Sequence, residues 1–173
     1  RVLEDWWVGF LDGQYGVKVL GTQLPAHVSL KDRAGEPFGV HGRIDILAQH
    51  DGARLVIHEV KTAKSTYYVK KEGPKPEHVE QLQFYLHVLG VGAGQLDYLD
   101  KKAFLQGETP IETIFEMEHN PNFYHDLVDR ALDMRDYLRA GTAPANPDAW
   151  NGKICSYCRY RDECPDAAKG AAR

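Results

Sequence analysis

The feature that most constrains the fold is a short apolar run that ends on charged residues. Residues 55–62 read Leu-Val-Ile-His-Glu-Val-Lys-Thr, and an aliphatic, β-branched run of this length indicates a buried strand. Residues 38–48 form a second extended pattern, and the His-Asp-Gly of residues 50–52 is a hairpin turn signal between the two. The sequence therefore predicts a buried two-stranded hairpin, around which the rest of the chain packs.

Helical patterns on both sides of this hairpin predict the fold class. Helices are predicted over residues 1–11, 77–89 and 120–140, where apolar residues recur at helical spacing. Further strands are predicted over residues 17–30 (with a turn near Gly21), 95–100 and 111–118, and a loop is predicted over residues 63–76. Helices on both sides of a mixed sheet make an α/β domain. We divide the chain into a core over residues 1–140 and a C-terminal linker and cysteine segment over residues 141–173.

Composition excludes several classes of protein. The 173 residues suffice for one domain with a sizeable core, and 43% hydrophobic and 27% charged residues are ordinary globular values. The chain has 21 basic and 25 acidic residues and a formal net charge of −4, so any nucleic-acid-binding surface must be a local patch. Because no run of 18 apolar residues and no charged-then-apolar leader occurs, we expect neither a membrane-spanning helix nor a signal peptide.

Charged side chains at the end of the buried strand point to chemistry. Glu59 and Lys61 are two residues apart, so they share one face of the sheet, whereas His58 points to the other face and is expected to be packed. Burying such charges is costly unless they have a role. The hairpin can bring Asp45 beside Glu59, and two adjacent carboxylates suit Mg²⁺ or Mn²⁺. A buried ion pair that holds the strand end is the alternative interpretation.

Three neighbouring features favour an active site over a structural ion pair. Gly42 lies three residues before the aspartate and allows a backbone to approach a ligand closely. Residues 61–75 contain five lysines against one acid, and beside a metal site such a loop would guide a phosphate backbone. Gln81 and Tyr85 lie four residues apart, so they share one face of the predicted helix.

Taken together, these motifs resemble the PD-(D/E)XK nucleases in their RecB-like branch. In that branch the active site combines a G-x-x-D strand, the E-x-K of the next strand and a Q-x-x-x-Y helix. The matching segments here are Gly42-Arg43-Ile44-Asp45, Glu59-Val60-Lys61 and Gln81-Leu82-Gln83-Phe84-Tyr85. The resemblance spans about residues 38–165 and implies a restriction-endonuclease-like mixed central sheet flanked by helices.

The resemblance also implies roles for the residues of the strand motifs. Asp45 and Glu59 would bind the metal, Mg²⁺ or Mn²⁺, with the backbone carbonyl of Val60 as a further ligand. Lys61 would assist the nucleophilic water. These four positions would form the centre of phosphodiester hydrolysis.

The helix residues and a missing histidine complete the implied site. Gln81 and Tyr85 would contact the DNA strand or brace the site. Relatives supply a further metal-binding histidine from a helix upstream of the aspartate strand, but the upstream histidines here, His27 and His41, do not lie in a predicted helix. Since the sequence opens on Arg1 rather than Met, we expect this ligand either to precede the given sequence or to be lost.

All three cysteines, Cys155, Cys158 and Cys164, lie in the last twenty residues. An odd, clustered set is a poor disulfide framework and is more typical of a metal or iron–sulfur site in a reducing compartment. The C-x₂-C-x₅-C spacing resembles the four-cysteine nucleases, which implies a [4Fe–4S] cluster in a small C-terminal lobe, with the first cysteine preceding residue 1 or lost. Zinc, with His119 or His125 as a fourth ligand, and free thiols are the alternatives.

The function implied by the resemblance is a metal-dependent deoxyribonuclease. Relatives include the CRISPR-associated adaptation nuclease, so we expect an exonuclease on single-stranded DNA ends in recombination, repair or CRISPR spacer acquisition. Tyr67 and Tyr68 lie among the lysines, which suits stacking of unpaired bases. Expected partners are DNA and a CRISPR integrase or helicase subunit, in the cytoplasm of a prokaryote or encoded by a phage. A DNA-binding subunit with a vestigial site and a zinc-stabilised interaction domain are the alternatives.

Overall fold

The computed structural model of the protein describes residues 2–14, 16–110 and 112–141. The predicted iron–sulfur lobe with its three cysteines lies outside the described residues. Along the described chain the elements are α1 (Val2–Asp12), β1 (Val17–Lys31), β2 (Pro37–His50), β3 (Arg54–Ala63), α2 (Tyr67–Glu72), α3 (Pro76–Leu89), β4 (Ala93–Asp100), α4 (Lys101–Leu105), β5 (Glu112–Glu118) and α5 (Pro121–Ala140).

The described strands form one mixed sheet in the order β1-β2-β3-β4-β5. Neighbouring strands are antiparallel except β3 and β4, which are parallel. A parallel pair needs a long crossover connection, and α2 and α3 supply it between β3 and β4. The predicted mixed α/β fold is therefore confirmed.

Helices cover both faces of the sheet because alternate residues of the central strands enter two separate apolar clusters. On one face, Ile57 of β3 packs in a cluster with Leu82 and Leu86 of α3. On the opposite face, Val60 packs in a cluster with Trp7 of α1. The helix α5 packs outside against α3. None of the described helices is both long enough and apolar enough to cross a membrane.

The structure corrects three sequence-based expectations. The predicted loop over residues 63–76 contains α2, a short helix that buries none of its own side chains and so leaves no apolar period. The helix α4 was not predicted, since it depends on a local cap in which the Asp100 side chain accepts a hydrogen bond from the backbone of Lys102. Instead of a turn near Gly21, β1 continues through an irregularity between Val19 and Gly21. The other predicted elements are confirmed to within two residues.

Candidate active site

The candidate site lies where β2 and β3 separate. The backbone pairing between these strands ends at Ile46 and His58, whereas β3 goes on pairing with β4 as far as Ala63. Asp45 and Glu59 are the next residues beyond the last pair of β2 and β3. The gap between two diverging strands therefore receives one carboxylate from each of them.

A cavity of about 870 Å³ occupies this gap. Its walls come from both strands, from α1, from β1 and from α3. All of the predicted site residues within the described chain line it, namely Asp45, Glu59, Val60, Lys61, Gln81 and Tyr85. The fold thus brings together three motifs that are separated by up to 40 residues in sequence.

The two carboxylates differ in how their oxygens are satisfied. The Glu59 side chain belongs to a residue that is only 1% exposed, and its Oε1 accepts a hydrogen bond of 2.7 Å from Lys61 Nζ. Its Oε2 is buried and has no hydrogen-bond partner. Asp45 is held at both oxygens, because Oδ2 accepts from the backbone N–H of Val60 at 2.9 Å and Oδ1 from Gln23 Nε2 at 3.2 Å. One buried carboxylate oxygen is therefore left for a ligand.

Both carboxyl groups are harder to ionise than usual. Burial and, to a smaller extent, the negative charge of Asp45 raise the pKa of Glu59 to about 7 against the opposing effect of Lys61. Burial also raises the pKa of Asp45, as does the charge of Glu4, whereas the hydrogen bond from the N–H of Val60 lowers it. This part of the cavity consequently has a deficit of positive charge, which a divalent cation would supply.

Lys61 is fixed by a chain of hydrogen bonds that reaches back to β2. Its Nζ also donates to Gln81 Oε1 at 2.8 Å, and Gln81 Nε2 donates to Tyr85 Oη at 3.0 Å. The same Tyr85 oxygen accepts from the backbone N–H of Arg43 at 3.2 Å. The ammonium group, the helix α3 and the strand that carries Asp45 are therefore held in one fixed arrangement.

The glycine of the G-x-x-D motif is required by the tyrosine of the helix motif. A Cβ atom on Gly42 would lie 2.5 Å from Cε1 and 3.0 Å from Oη of Tyr85. Only a residue without a side chain lets the Tyr85 ring approach the β2 backbone this closely. The two motifs are thus complementary parts of one contact.

The donor set fits a hard divalent cation. Among the described residues, no group of three or more His, Cys, Asp or Glu side chains is arranged to hold a metal ion. A pair of carboxylates is instead typical of Mg²⁺, which keeps several waters and uses one or two carboxylates. The unpartnered Oε2 of Glu59 is an oxygen donor of the required kind.

Glu4 of α1 is a candidate site residue that the sequence analysis missed. It lines the cavity, and its charge raises the pKa of both Asp45 and Glu59. It thus comes from a helix upstream of the aspartate strand, where the resemblance implied a histidine. His27 and His41 are cross-strand neighbours of β1 and β2 whose rings stack at 4.3 Å, and neither lines this cavity. The signal available in the sequence was the acidic first turn of α1.

A buried polar network attaches α1 to the sheet near the site. His58 is fully buried on the face opposite Glu59, as expected, and its Nδ1 lies 2.8 Å from Asp97 Oδ2. The same Asp97 oxygen accepts a hydrogen bond of 2.7 Å from Trp7 Nε1. Trp7 is three residues after Glu4, so the two lie on neighbouring turns of one helix. This network therefore sets the position of Glu4 at the cavity.

Comparisons with known proteins give one family match and a similar fold. A family model described as the PD-(D/E)XK nuclease superfamily matches residues 9–165. None of the curated proteins matches the sequence significantly. Among solved structures, the crystal structure of SSO0001 is similar with a TM-score of 0.62 and 19% sequence identity, over 95% of this chain and 68% of that chain. At this identity the similarity concerns the fold alone.

Proposed function

Because the chain belongs to the PD-(D/E)XK nuclease superfamily, we propose that it is a Mg²⁺- or Mn²⁺-dependent deoxyribonuclease. The reaction is hydrolysis of a phosphodiester bond, and its centre is formed by Asp45, Glu59 and Lys61. Membership of the superfamily supports a metal-dependent nuclease. The convergence of the three side chains in one cavity supports their assignment as its centre.

The observation that carries this proposal is the unpartnered Oε2 of Glu59. Buried polar atoms are nearly always hydrogen-bonded, and an unsatisfied one costs free energy. The ion pair with Lys61 satisfies only Oε1, so Oε2 is left without a partner in a side chain that lines the cavity beside Asp45. A divalent cation in the gap would be ligated by this oxygen and by Asp45, and we assign the carbonyl of Val60 as the further protein ligand.

The side chains around this position match the needs of phosphodiester hydrolysis. A divalent cation supplies charge neutralisation for the phosphate and acidifies water. Lys61 Nζ, held between Glu59 and Gln81, is a positive donor at a fixed position that orients the attacking water. Arg43 also lines the cavity and is suited to pair with a phosphate oxygen of the substrate.

The proposed substrate is the end of a single strand of DNA, as in the RecB-like branch. The rings of Tyr67 and Tyr68 are 65% and 64% exposed and lie edge-to-face at 5.3 Å, next to Lys70 and Lys71 on the same short helix. Exposed aromatic rings among cations suit stacking of unpaired bases on a bound backbone. We place the activity in recombination, repair or CRISPR spacer acquisition, with a helicase or a CRISPR integrase as the partner.

A [4Fe–4S] cluster at Cys155, Cys158 and Cys164 remains part of the proposal, and zinc is its alternative. These residues lie outside the described chain, so the proposal rests on their spacing. Iron and sulfide analysis together with broad visible absorbance would support the cluster. Stoichiometric zinc in a colourless protein would overturn it.

The nuclease proposal is tested with end-labelled single- and double-stranded DNA in Mg²⁺, Mn²⁺ or EDTA. Lys61→Ala is the test variant, and we expect it to slow cleavage by about 10²- to 10⁴-fold, the range for a positioned catalytic group. Lys18→Ala is the matched control, because Lys18 is an exposed lysine of β1 that does not line the cavity of the proposed metal site.

The outcomes separate the interpretations of the site. Metal-dependent cleavage that is lost in Lys61→Ala and kept in Lys18→Ala supports the proposed centre, and the product ladder gives the polarity. DNA binding without cleavage in any metal would instead support the vestigial DNA-binding subunit.

A further inference from the structure

A second cavity, of about 300 Å³, lies directly beside the proposed metal site. Gln81 and Tyr85 line both cavities, so the two are neighbours across this pair of side chains. The remaining walls come from the β1–β2 hairpin, from α3 and from α5. They include Val28, Leu30, Val40, Phe84, Leu127 and Ala131.

The two cavities differ sharply in chemistry. The metal site is lined by carboxylates, Lys61 and Arg43, whereas the second cavity is lined mainly by aliphatic side chains and the rings of Phe84 and Tyr85. Apolar walls with a few polar groups at one side are typical of sites for small planar ligands. A charged site and an apolar site that share a wall correspond to the two parts of a nucleotide, its phosphate and its base.

Ion pairs hold the walls of the second cavity together. Arg33, in the turn between β1 and β2, pairs with Asp133 of α5 at 2.6 Å and also with Asp136. Next to it, the buried side chain of Asp32 forms an ion pair with Arg139 at 2.8 Å. These contacts join the tip of the hairpin to α5, a helix that buries none of its own residues fully. The cavity is therefore bounded by a hairpin and a helix that are fastened to each other.

We propose that this cavity binds the nucleobase that adjoins the cleaved phosphate, after that base has left its stack. The inference rests on the proposed nuclease function and names the part of the substrate that the enzyme recognises. A base in a duplex is paired and stacked, so it must be extruded before it can enter such a cavity, whereas an unpaired base needs only to unstack. The cavity thus provides a physical basis for a preference for single-stranded ends.

The position of the cavity favours a nucleobase as its occupant. Its wall at Gln81 and Tyr85 is continuous with the site at which the phosphate would lie, so an adjoining base is within reach without a change in the fold. The apolar lining disfavours a second phosphate. Phe84 and Tyr85 offer ring surfaces of the kind on which bases stack.

The binding experiment uses the whole protein and single-stranded oligonucleotides that carry 2-aminopurine at each of the terminal positions in turn. Ca²⁺ replaces Mg²⁺, gels verify that the DNA stays intact, and anisotropy measures binding separately. We expect fluorescence to rise on binding at one position only. Ala131→Leu, which fills the cavity from α5, abolishes this rise, and Val40→Leu reduces it from the hairpin side. Ala140→Leu, an exposed substitution on the same helix, is the control.

A cleavage experiment in Mn²⁺ tests the same assignment. Ala131→Leu is expected to lower kcat/KM on unmodified DNA by about tenfold, within the range measured for loss of one stacked base. The responding position is the one at which 2-aminopurine fluorescence rises on binding. On DNA with an abasic site at this position, the variant and the wild type should cleave at equal rates.

Several results would overturn the nucleobase assignment. DNA binding without a fluorescence rise at any position would contradict it. Cleavage by Ala131→Leu that is slowed equally on normal and abasic DNA would contradict it as well. A gain in thermal stability of Ala131→Leu with unchanged cleavage would show that the cavity is only a packing gap. A responding position without cleavage would contradict the nuclease proposal alone, whereas cleavage without a responding position would contradict only the nucleobase assignment of the cavity.

Discussion

Glu59→Gln should make the metal-free protein more stable at neutral and alkaline pH while it abolishes cleavage. The fold raises the pKa of Glu59 from its ordinary value of 4.5 to about 7, mainly because the carboxyl group is buried and Asp45 is close. Between these two pH values the folded state keeps a proton that the unfolded state has released. Stability therefore falls as pH rises through this window, and the full penalty is present above pH 7.

The size of the penalty follows from the shift. The difference of 7 − 4.5 = 2.5 pKa units corresponds to roughly 3 kcal/mol at about 1.4 kcal/mol per unit, at a residue that is only 1% exposed. Glutamine still accepts a hydrogen bond from Lys61 but carries no charge. We therefore expect the advantage of Glu59→Gln to grow from below about 1 kcal/mol at pH 5 to roughly 3 kcal/mol at pH 8, or about 6–12 °C in Tm.

The assay is urea and thermal unfolding of both proteins in EDTA from pH 5 to pH 8.5, repeated in Mg²⁺. Metal should stabilise the wild type by mass action at pH 8 and should stabilise the variant much less, because one ligand has been removed. Glu112→Gln, at an exposed glutamate of β5, is the control for loss of one negative charge. Parallel stability curves for the wild type and Glu59→Gln in EDTA would refute the reasoning, since Glu59 would then ionise normally in the fold.

Two further substitutions test contacts that position the site. Gly42→Ala should cost about 1–3 kcal/mol of stability in urea and slow cleavage, because its Cβ would lie 2.5 Å from the ring of Tyr85. Gly9→Ala, where a Cβ meets open space in α1, should instead stabilise by about 0.5–1 kcal/mol. Trp7→Phe should cost about 1–3 kcal/mol, because Asp97 loses its hydrogen bond from the indole, and it should also weaken cleavage by loosening α1.

Controls distinguish these contacts from general damage. Unchanged stability of Gly42→Ala would show that the Tyr85 ring can move aside at no cost. Trp6→Phe is the neighbouring substitution for Trp7→Phe, since Trp6 is only half-buried and packs through ring contacts with Trp7, Phe10 and Phe104. A Trp7→Phe protein that unfolds and cleaves like Trp6→Phe would remove the role assigned to the buried network.

Patterns of short range sufficed for most of the secondary structure and for the strand residues of the candidate site. The buried strand over residues 55–62 and the helix at 77–89 follow from residues two to four positions apart, which the backbone geometry relates directly. The candidates Asp45, Glu59 and Lys61 were found because polar side chains interrupt apolar strands at a spacing that places them on one face. Short elements such as α2 were not predicted, because six residues without a buried face carry no periodic signal.

Tertiary structure alone decided how these pieces meet. The separation of β2 from β3 beyond the Ile46–His58 pair, which opens the gap for two carboxylates, is a property of the pairing across the whole sheet. Glu4 lies at that gap because α1 packs on the sheet, where Trp7 also donates a hydrogen bond to Asp97, 90 residues away in sequence. The apolar cavity is bounded by α5, which packs against α3 and pairs with Arg33 across about 100 residues of chain. Sequence patterns record local periodicity, whereas contacts at such separations are set by how the two faces of the sheet are packed.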